Sequence, residues 1–411
     1  MAILHPTKTL PALLPRYVTR FACTGSACED NCCSGWLVTL DKKTFNAYRK
    51  TSHPGLGATL DKHVKRHRAG DGDQNYGKIE LDPATGQCPI MSDGLCGVQK
   101  GLGESYLSTT CFTYPRQTRQ FSGKFEQALM LSCPEAARQA LLQPDAFDFI
   151  ESRITVRPDV VQASTVSFGL TTEAVNDVRI FCLQLMRTGG LALWERLAVL
   201  GVFCESLTAT LAASQHAAVP ALIERFTGLV AGGGLVDALH GLQPNHEAQA
   251  MVFSTILADR GFQTTTSMET EIVLSVGSRL GADDNGVVDA GTLVASYRRG
   301  LDRLEQALQA APHLLEHYVL NEMFLTLFPF VDGSPFEAYL QLVSRFGLLR
   351  LMLAAQCNNE GEVPGAELLV RTVHIYCRRF QHQTMFTRRV NGALHASGWS
   401  SLDKLYGFLR S

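Results

Sequence analysis

Four cysteines fall within eleven positions of the stretch FACTGSACEDNCCSGW: Cys23, Cys28, Cys32 and Cys33. Cys88, Cys96, Cys111 and Cys133 follow, so eight of the chain's twelve cysteines lie in its first 133 residues. No other feature narrows the available folds as much. Sulfur at this density serves disulfides, a zinc site, an iron–sulfur cluster or a redox couple. The N-terminus, MAILHPTKTLPALLPRYVTRF, lacks the unbroken apolar run of a secretory signal. No stretch reaches the roughly 18 apolar residues of a membrane span. A cytoplasmic location is therefore expected, and cytoplasmic thiols stay reduced. That disfavours disulfides and leaves metal binding or free thiols.

Thiolates are soft ligands for zinc and for iron–sulfur clusters. The spacing is C-x4-C-x3-C-C, then C-x7-C, C-x14-C and C-x21-C. Cys28 and Cys32 form an i, i+4 pair, whereas adjacent Cys32 and Cys33 point in different directions. The eight suffice for two four-ligand sites, or for one site with thiols to spare. Spacing alone leaves zinc, iron–sulfur and redox thiols all open. A C-x3-C-x2-C radical signature starting at Cys28 would need a cysteine where Gly35 stands. Cys182, Cys204, Cys357 and Cys377 sit among apolar neighbours and read as buried core residues.

Net charge is −2, which argues against a bulk nucleic-acid binder. The first 133 residues are basic, with 16 Lys+Arg against 11 Asp+Glu; the remainder has 21 against 28. The basic stretch Arg371–Arg389 offers a docking face for an acidic protein or a peripheral membrane contact. Oligomeric state is not legible.

The pattern predicts an α+β cysteine-rich metal-binding N-terminal domain, residues 1–150, followed by a mainly α-helical domain, residues 151–411. WLVTL (36–40) and KIELD (78–82) read as strands, with Asp41 as the N-cap of a helix. RQTRQFSGKFEQALML reads as a hairpin turning at Ser122-Gly123, and Pro134 opens a helix. Residues 153–170 read as an irregular connector. Beyond them, three- and four-residue apolar spacing predicts helices over 171–187, 190–213, 217–231, 246–260, 290–311, 313–328, 335–356 and 363–380. GLVAGGGLVDALHG (228–241) follows a helical rather than a strand pattern, so it reads as a turn between helices, not a nucleotide-binding loop.

Three blocks, FACTGSACEDNCCSGW, CPIMSDGLCGVQKGLGESYLSTTCFTYPR and LSCPEAAR, resemble the flagellin lysine-N-methylase family of bacterial cysteine-rich proteins, described as zinc- or iron-chelating. EHYVLNEMFLTLFPF (316–330) resembles the family's helical part. The resemblance implies a protein-lysine N-methyltransferase that uses S-adenosylmethionine and acts on flagellin in the cytosol. It also implies a [4Fe–4S] cluster in the cysteine-rich region, with zinc as the alternative metal. The eight family-type cysteines, Cys23, Cys28, Cys32, Cys33, Cys88, Cys96, Cys111 and Cys133, all match. A zinc-stapled binding module or chaperone for flagellin is the alternative function.

Such chemistry needs an aromatic surface for a cation, a grip for a carboxylate and a base. Trp36 and Tyr114 are candidates for the first, and Arg116 for the second. Tyr114, Arg116 and Glu322 are the candidate catalytic residues, with Arg116 and Trp36 expected to bind the cofactor. Glu29, Asp30 and Asn321 are further polar candidates.

Overall fold

Lys8–Pro15 lies inside a five-stranded sheet of order Gln162–Ser164, Arg116–Phe121, Lys124–Leu129, Lys8–Pro15, Phe149–Val156. The computed structural model describes residues 3–166, 168–233, 239–258, 266–330, 333–381 and 384–410. The chain divides into two compact units. The first comprises Met1–Gln139, Asp148–Ser164 and Gln263–Glu271; the second comprises Ala140–Phe147, Thr165–Phe262 and Ile272–Ser411.

In the first unit the hairpin forms as predicted. Phe121 pairs with Lys124, and Ser122 and Gly123 have φ of 54° and 72°. Two left-handed residues make the tight turn that matches strand twist. Several strands were not expected: Lys8–Pro15, Val64–Arg66, Met91–Ser92, Leu95–Cys96, Phe149–Val156 and Gln162–Ser164. Lys8–Pro15 carries Pro11 and Pro15, which read against a central strand. Phe149–Val156 pairs antiparallel with it along its whole length, from Lys8↔Val156 to Pro15↔Phe149. The irregular connector expected over 153–170 is therefore partly strand, and position 150 falls within that strand.

The register constrains the sheet's shape. Gln162 is level with Arg119, which is level with Glu126, Leu13 and Glu151. The chain leaves Val156 five positions above that level and must re-enter at Gln162 on the opposite edge. In a flat sheet those two points would lie about 25 Å apart, from about 4.8 Å per strand and about 3.3 Å per residue. Six residue steps reach at most about 21 Å fully extended. Here Pro158–Val160 is a 3₁₀ turn, which shortens the reach further. The sheet must therefore curl, and the strap Arg157–Val161 closes its concave side.

A smaller antiparallel sheet, Val38–Leu40, Gly77–Ile79 and Val64–Arg66, builds a second core around Leu40, Tyr48, Leu60, Ile79 and Val98. Trp36, Cys88 and Cys96 pack against it. Asp41 caps the helix Lys42–Lys50, accepting from the Thr44 N–H at 2.9 Å as predicted.

In the helical unit the predicted periodicity yields Thr172–Arg187, Leu193–Ala212, Val219–Ala231, His246–Leu257, Ala290–Leu308, Leu314–Thr326, Pro335–Cys357 and Ala366–Phe380. Ser267–Arg279, Thr384–Ala396 and Leu402–Leu409 were not foreseen. Residues 234–238 of the glycine-rich turn lie outside the described residues. Pro335–Cys357 has the length and composition of a membrane span, but it is the buried central helix. It packs against Leu193–Ala212, Ala290–Leu308 and Ala366–Phe380. Gly300 permits one of these contacts, because a Cβ there would run into the Ala354 carbonyl oxygen. His317, 2% exposed, approaches the Ala140 carbonyl oxygen with its Nδ1 at 2.8 Å and lies 5.0 Å from the Phe147 ring. Burial pushes its pKa down to about 4 despite that hydrogen bond, so the ring is neutral in the fold and its Nδ1–H donates.

Two predictions follow from this packing. Gly300→Ala gains up to about 1 kcal/mol of helix propensity. Overpacking against an immovable backbone costs about 1–3 kcal/mol; urea unfolding should therefore show net destabilisation. For His317 the unfolded chain binds the proton more tightly, so its contribution is complete above about pH 6.5. It is lost as pH falls through about 4. That loss is at most about 3 kcal/mol. Denaturation at stepped pH should show a decline that flattens in His317→Gln.

Candidate functional site

Local pairing brings distant cysteines together. The Cys88 N–H donates to the Cys33 carbonyl at 2.6 Å, and the Gly35 N–H to that of Gly86 at 3.0 Å. Ser34 and Gln87 form the bridge between these segments. Cys96 returns opposite Met91 across a tight hairpin whose turn, Asp93-Gly94, has φ of 54° and 73°. Asp-Gly is a strong signal for such a turn, and the sequence reading passed over it. Cys111 sits in the short helix Thr109–Thr113, its N–H held by the Ser108 hydroxyl at 3.1 Å. Cys133 stands at the N-terminus of Pro134–Leu142, its carbonyl accepting from Ala137.

Cys32 is the common neighbour. It interacts electrostatically with Cys28, Cys33, Cys88, Cys111 and Cys133. Cys96 does so with Cys33, Cys88 and Cys111. Seven of the eight predicted cysteines thus share one region of the first unit. A hydrogen bond to Cys32, then burial, raises the Cys33 thiol. Burial raises Cys28 and Cys88, and pushes Cys133 up to about 12. The Cys111 side chain reaches solvent, yet the protein crowded around its sulfur also pushes it up to about 12.

Against burial stands a repeated feature: backbone N–H groups two or three residues downstream point at the sulfurs. Gly25 serves Cys23 at 3.5 Å, and Asp30 serves Cys28. Ile90 and Met91 serve Cys88, while Glu135 and Ala136 serve Cys133. N–H groups directed at sulfur favour the thiolate. Among the described residues, no three His, Cys, Asp or Glu side chains are arranged to hold a metal ion. The donor chemistry nonetheless fits one. Ionising several thiols this close requires a cation to offset their repulsion, and the N–H groups aimed at sulfur suit thiolates.

Trp36 and Tyr114 meet edge to face, ring centroids 4.6 Å apart. The Trp36 Nε1–H donates to the Cys32 carbonyl at 2.7 Å, and the Tyr114 hydroxyl lies 3.2 Å from that of Ser132. Arg116 is exposed, its guanidinium 5.1 Å from the Phe21 ring centroid. Glu29 pairs with Arg138 at 2.5 Å, and Asp30 is buried. Glu322, expected in a substrate cleft, belongs to the helical unit and is 3% exposed. Both its oxygens are engaged, one by Arg345 at 2.6 Å and the other by the Gln381 amide at 2.7 Å. Asn321 beside it is buried. Within the basic stretch, Arg379 is buried in Ala366–Phe380, while Arg388 and Arg389 are exposed. Its residues 382 and 383, and the side chains of 384–387, lie outside the described residues.

A cavity of about 840 Å³ is lined by the strands Arg116–Phe121, Lys124–Leu129 and Phe149–Val156 and by Val160 and Val161 of the strap. Arg116 lines it, as do Glu104, Thr109, Phe112, Thr113 and Arg157. The sequence reading missed Arg157. Its signal was a single cation inside the apolar run ITVRPDVV.

These features define a class of protein with a thiol-rich α+β unit and an all-helical unit. Residues 179–408, more than half the chain, match the FliB lysine N-methylase C-terminal domain, and the chain belongs to that family. It is 26% identical to a Lysine-N-methylase of Salmonella typhimurium, over 92% of this chain and 93% of that one. It is 33% identical to a Lysine-N-methylase of Salmonella choleraesuis, over 44% and 43%. With Flagellar biosynthetic protein FliU of Salmonella muenchen it shares 34% identity, over 38% of this chain and 91% of that one. No solved structure matches it.

The cysteine environments predict a labelling order. In chelator-treated protein, iodoacetamide followed by peptide mass spectrometry should modify Cys23 and Cys32 readily. Cys111 should react more slowly, because its thiol is raised. Cys182, Cys204, Cys357 and Cys377 are fully enclosed and should react only after unfolding.

Proposed function

We propose that this chain is a protein-lysine N-methyltransferase that acts on flagellin in the cytoplasm. Its methyl donor is S-adenosylmethionine, and its first unit holds a [4Fe–4S] cluster on cysteine. The observation that carries the reading is the near full-length similarity to a lysine-N-methylase, joined to the family match over 179–408. Similarity to a flagellar biosynthetic protein supports the choice of substrate. The convergence of seven thiols, with N–H groups aimed at several, supports the cluster. Those same thiols suit zinc, which would make the chain a stapled flagellin-binding module.

A lysine ammonium, with a pKa of about 10.4, must lose its proton before it can attack. The paired rings of Trp36 and Tyr114 offer π surface to an incoming ammonium or sulfonium, worth about 0.5–2 kcal/mol. Hydrogen bonds at Cys32 and Ser132 keep those rings from turning. The exposed guanidinium of Arg116 is proposed to meet the donor's carboxylate. As the N–CH₃ bond forms the S–CH₃ bond breaks, and positive charge passes from sulfur to nitrogen. Bound to the thiolates, an iron–sulfur group supplies orientation of the donor or one-electron chemistry.

The test uses flagellin and tritiated S-adenosylmethionine with protein purified without oxygen. Wild type should transfer label to lysine, and Cys204→Ala should retain transfer. Cys28→Ala combined with Cys88→Ala should lose transfer together with bound iron. Iron-loaded wild type that labels no flagellin would overturn the proposal.

A further inference from the structure

Arg157 is 3% exposed. Asp41 and Glu104 act on its guanidinium electrostatically, but neither makes a direct salt bridge with it among the described residues. It donates to the carbonyl oxygens of Leu107 at 2.8 Å and Glu104 at 3.0 Å, and lies 4.1 Å from the Phe112 ring centroid. Its Nε is buried with no hydrogen-bond partner. A buried cation whose acids stop short of direct contact is costly, and a structural arginine is normally closed by a hydrogen-bonded carboxylate. This one forms part of the wall of two cavities, of about 840 and 550 Å³. The larger falls within the usual size range of small-molecule sites, about 300–1,000 Å³.

The larger cavity has the lining of an adenosyl amino-acid site. Leu14, Phe112, Met130 and Ile154 offer apolar surface for a flat heterocycle. The Glu104 carboxylate in the same wall suits an amine or a sulfonium. Thr109, Phe112 and Thr113, at i, i+3 and i+4, line it from the helix that carries Cys111, so the cavity backs onto the thiols.

We propose that this cavity is the S-adenosylmethionine pocket, with the ligand's carboxylate held by Arg157 and Arg116 at the same wall. The assignment rests on the methyltransferase reading and gives it a location, with Arg157 as the principal anchor.

Calorimetry with S-adenosylhomocysteine and 5′-methylthioadenosine separates the carboxylate from the adenosyl group, because the second ligand lacks the amino-acid tail. Arg157→Met should weaken S-adenosylhomocysteine about 10- to 150-fold, the range for a hydrogen bond to a charged group. Methylthioadenosine binding should be nearly unchanged. If Arg157→Met does not fold, hydrogen exchange on wild type serves instead. S-adenosylhomocysteine should then protect amides of 109–119 and 152–161. Unchanged affinity in Arg157→Met, equal loss for both ligands, or protection confined to other segments would overturn the pocket and leave the methyltransferase reading standing. Wild type that binds neither S-adenosylmethionine nor S-adenosylhomocysteine would overturn both.

Discussion

Five residues, Arg157–Val161, carry the chain from one edge of a five-stranded sheet to the other, and they are too few to cross a flat one. That limit curls the sheet. Curling gives it a concave side, and the strap covers that side with its own residues. Arg157, first in the strap, is thereby buried against Phe112 beside the helix of Cys111. The burial of this cation is thus a consequence of chain length and register.

The thiol region obeys a different constraint. Each cysteine is delivered by a small local device: a bridge for Cys33 and Cys88, a tight turn for Cys96, a capped turn of helix for Cys111, and a helix N-terminus for Cys133. Short elements of this kind bury little apolar surface and depend on neighbours for stability. The core around Leu40, Tyr48 and Ile79 supports two of the cysteines directly, because Cys88 and Cys96 pack against it. The opposing influences on the sulfurs, burial on one side and aimed N–H groups on the other, would be reconciled by the cation proposed for them.

Much of this was legible in the sequence because it is local. Helices such as Pro335–Cys357 announce themselves through apolar spacing, and Asp41 and Ser122-Gly123 through cap and turn chemistry. The eight cysteines stood out by density. What escaped was non-local or disguised. Lys8–Pro15 finds its partner more than 130 residues away and carries prolines that argue against a central strand. Arg157 looks unremarkable in ITVRPDVV until the fold shows it buried, with its Nε lacking a hydrogen-bond partner. Glu322 looked like a cleft carboxylate because its partner, Arg345, lies 23 positions away on another helix.

The central claim is that the N-terminal thiols gather on one metal group. The direct measurement is the metal content of protein purified without oxygen, paired with a titration of its free thiols. The account predicts about four irons per chain, as a cysteine-held [4Fe–4S] cluster requires. Several N-terminal thiols should become reactive only after chelation. Protein without bound metal, in which all eight N-terminal cysteines titrate as free thiols, would contradict it.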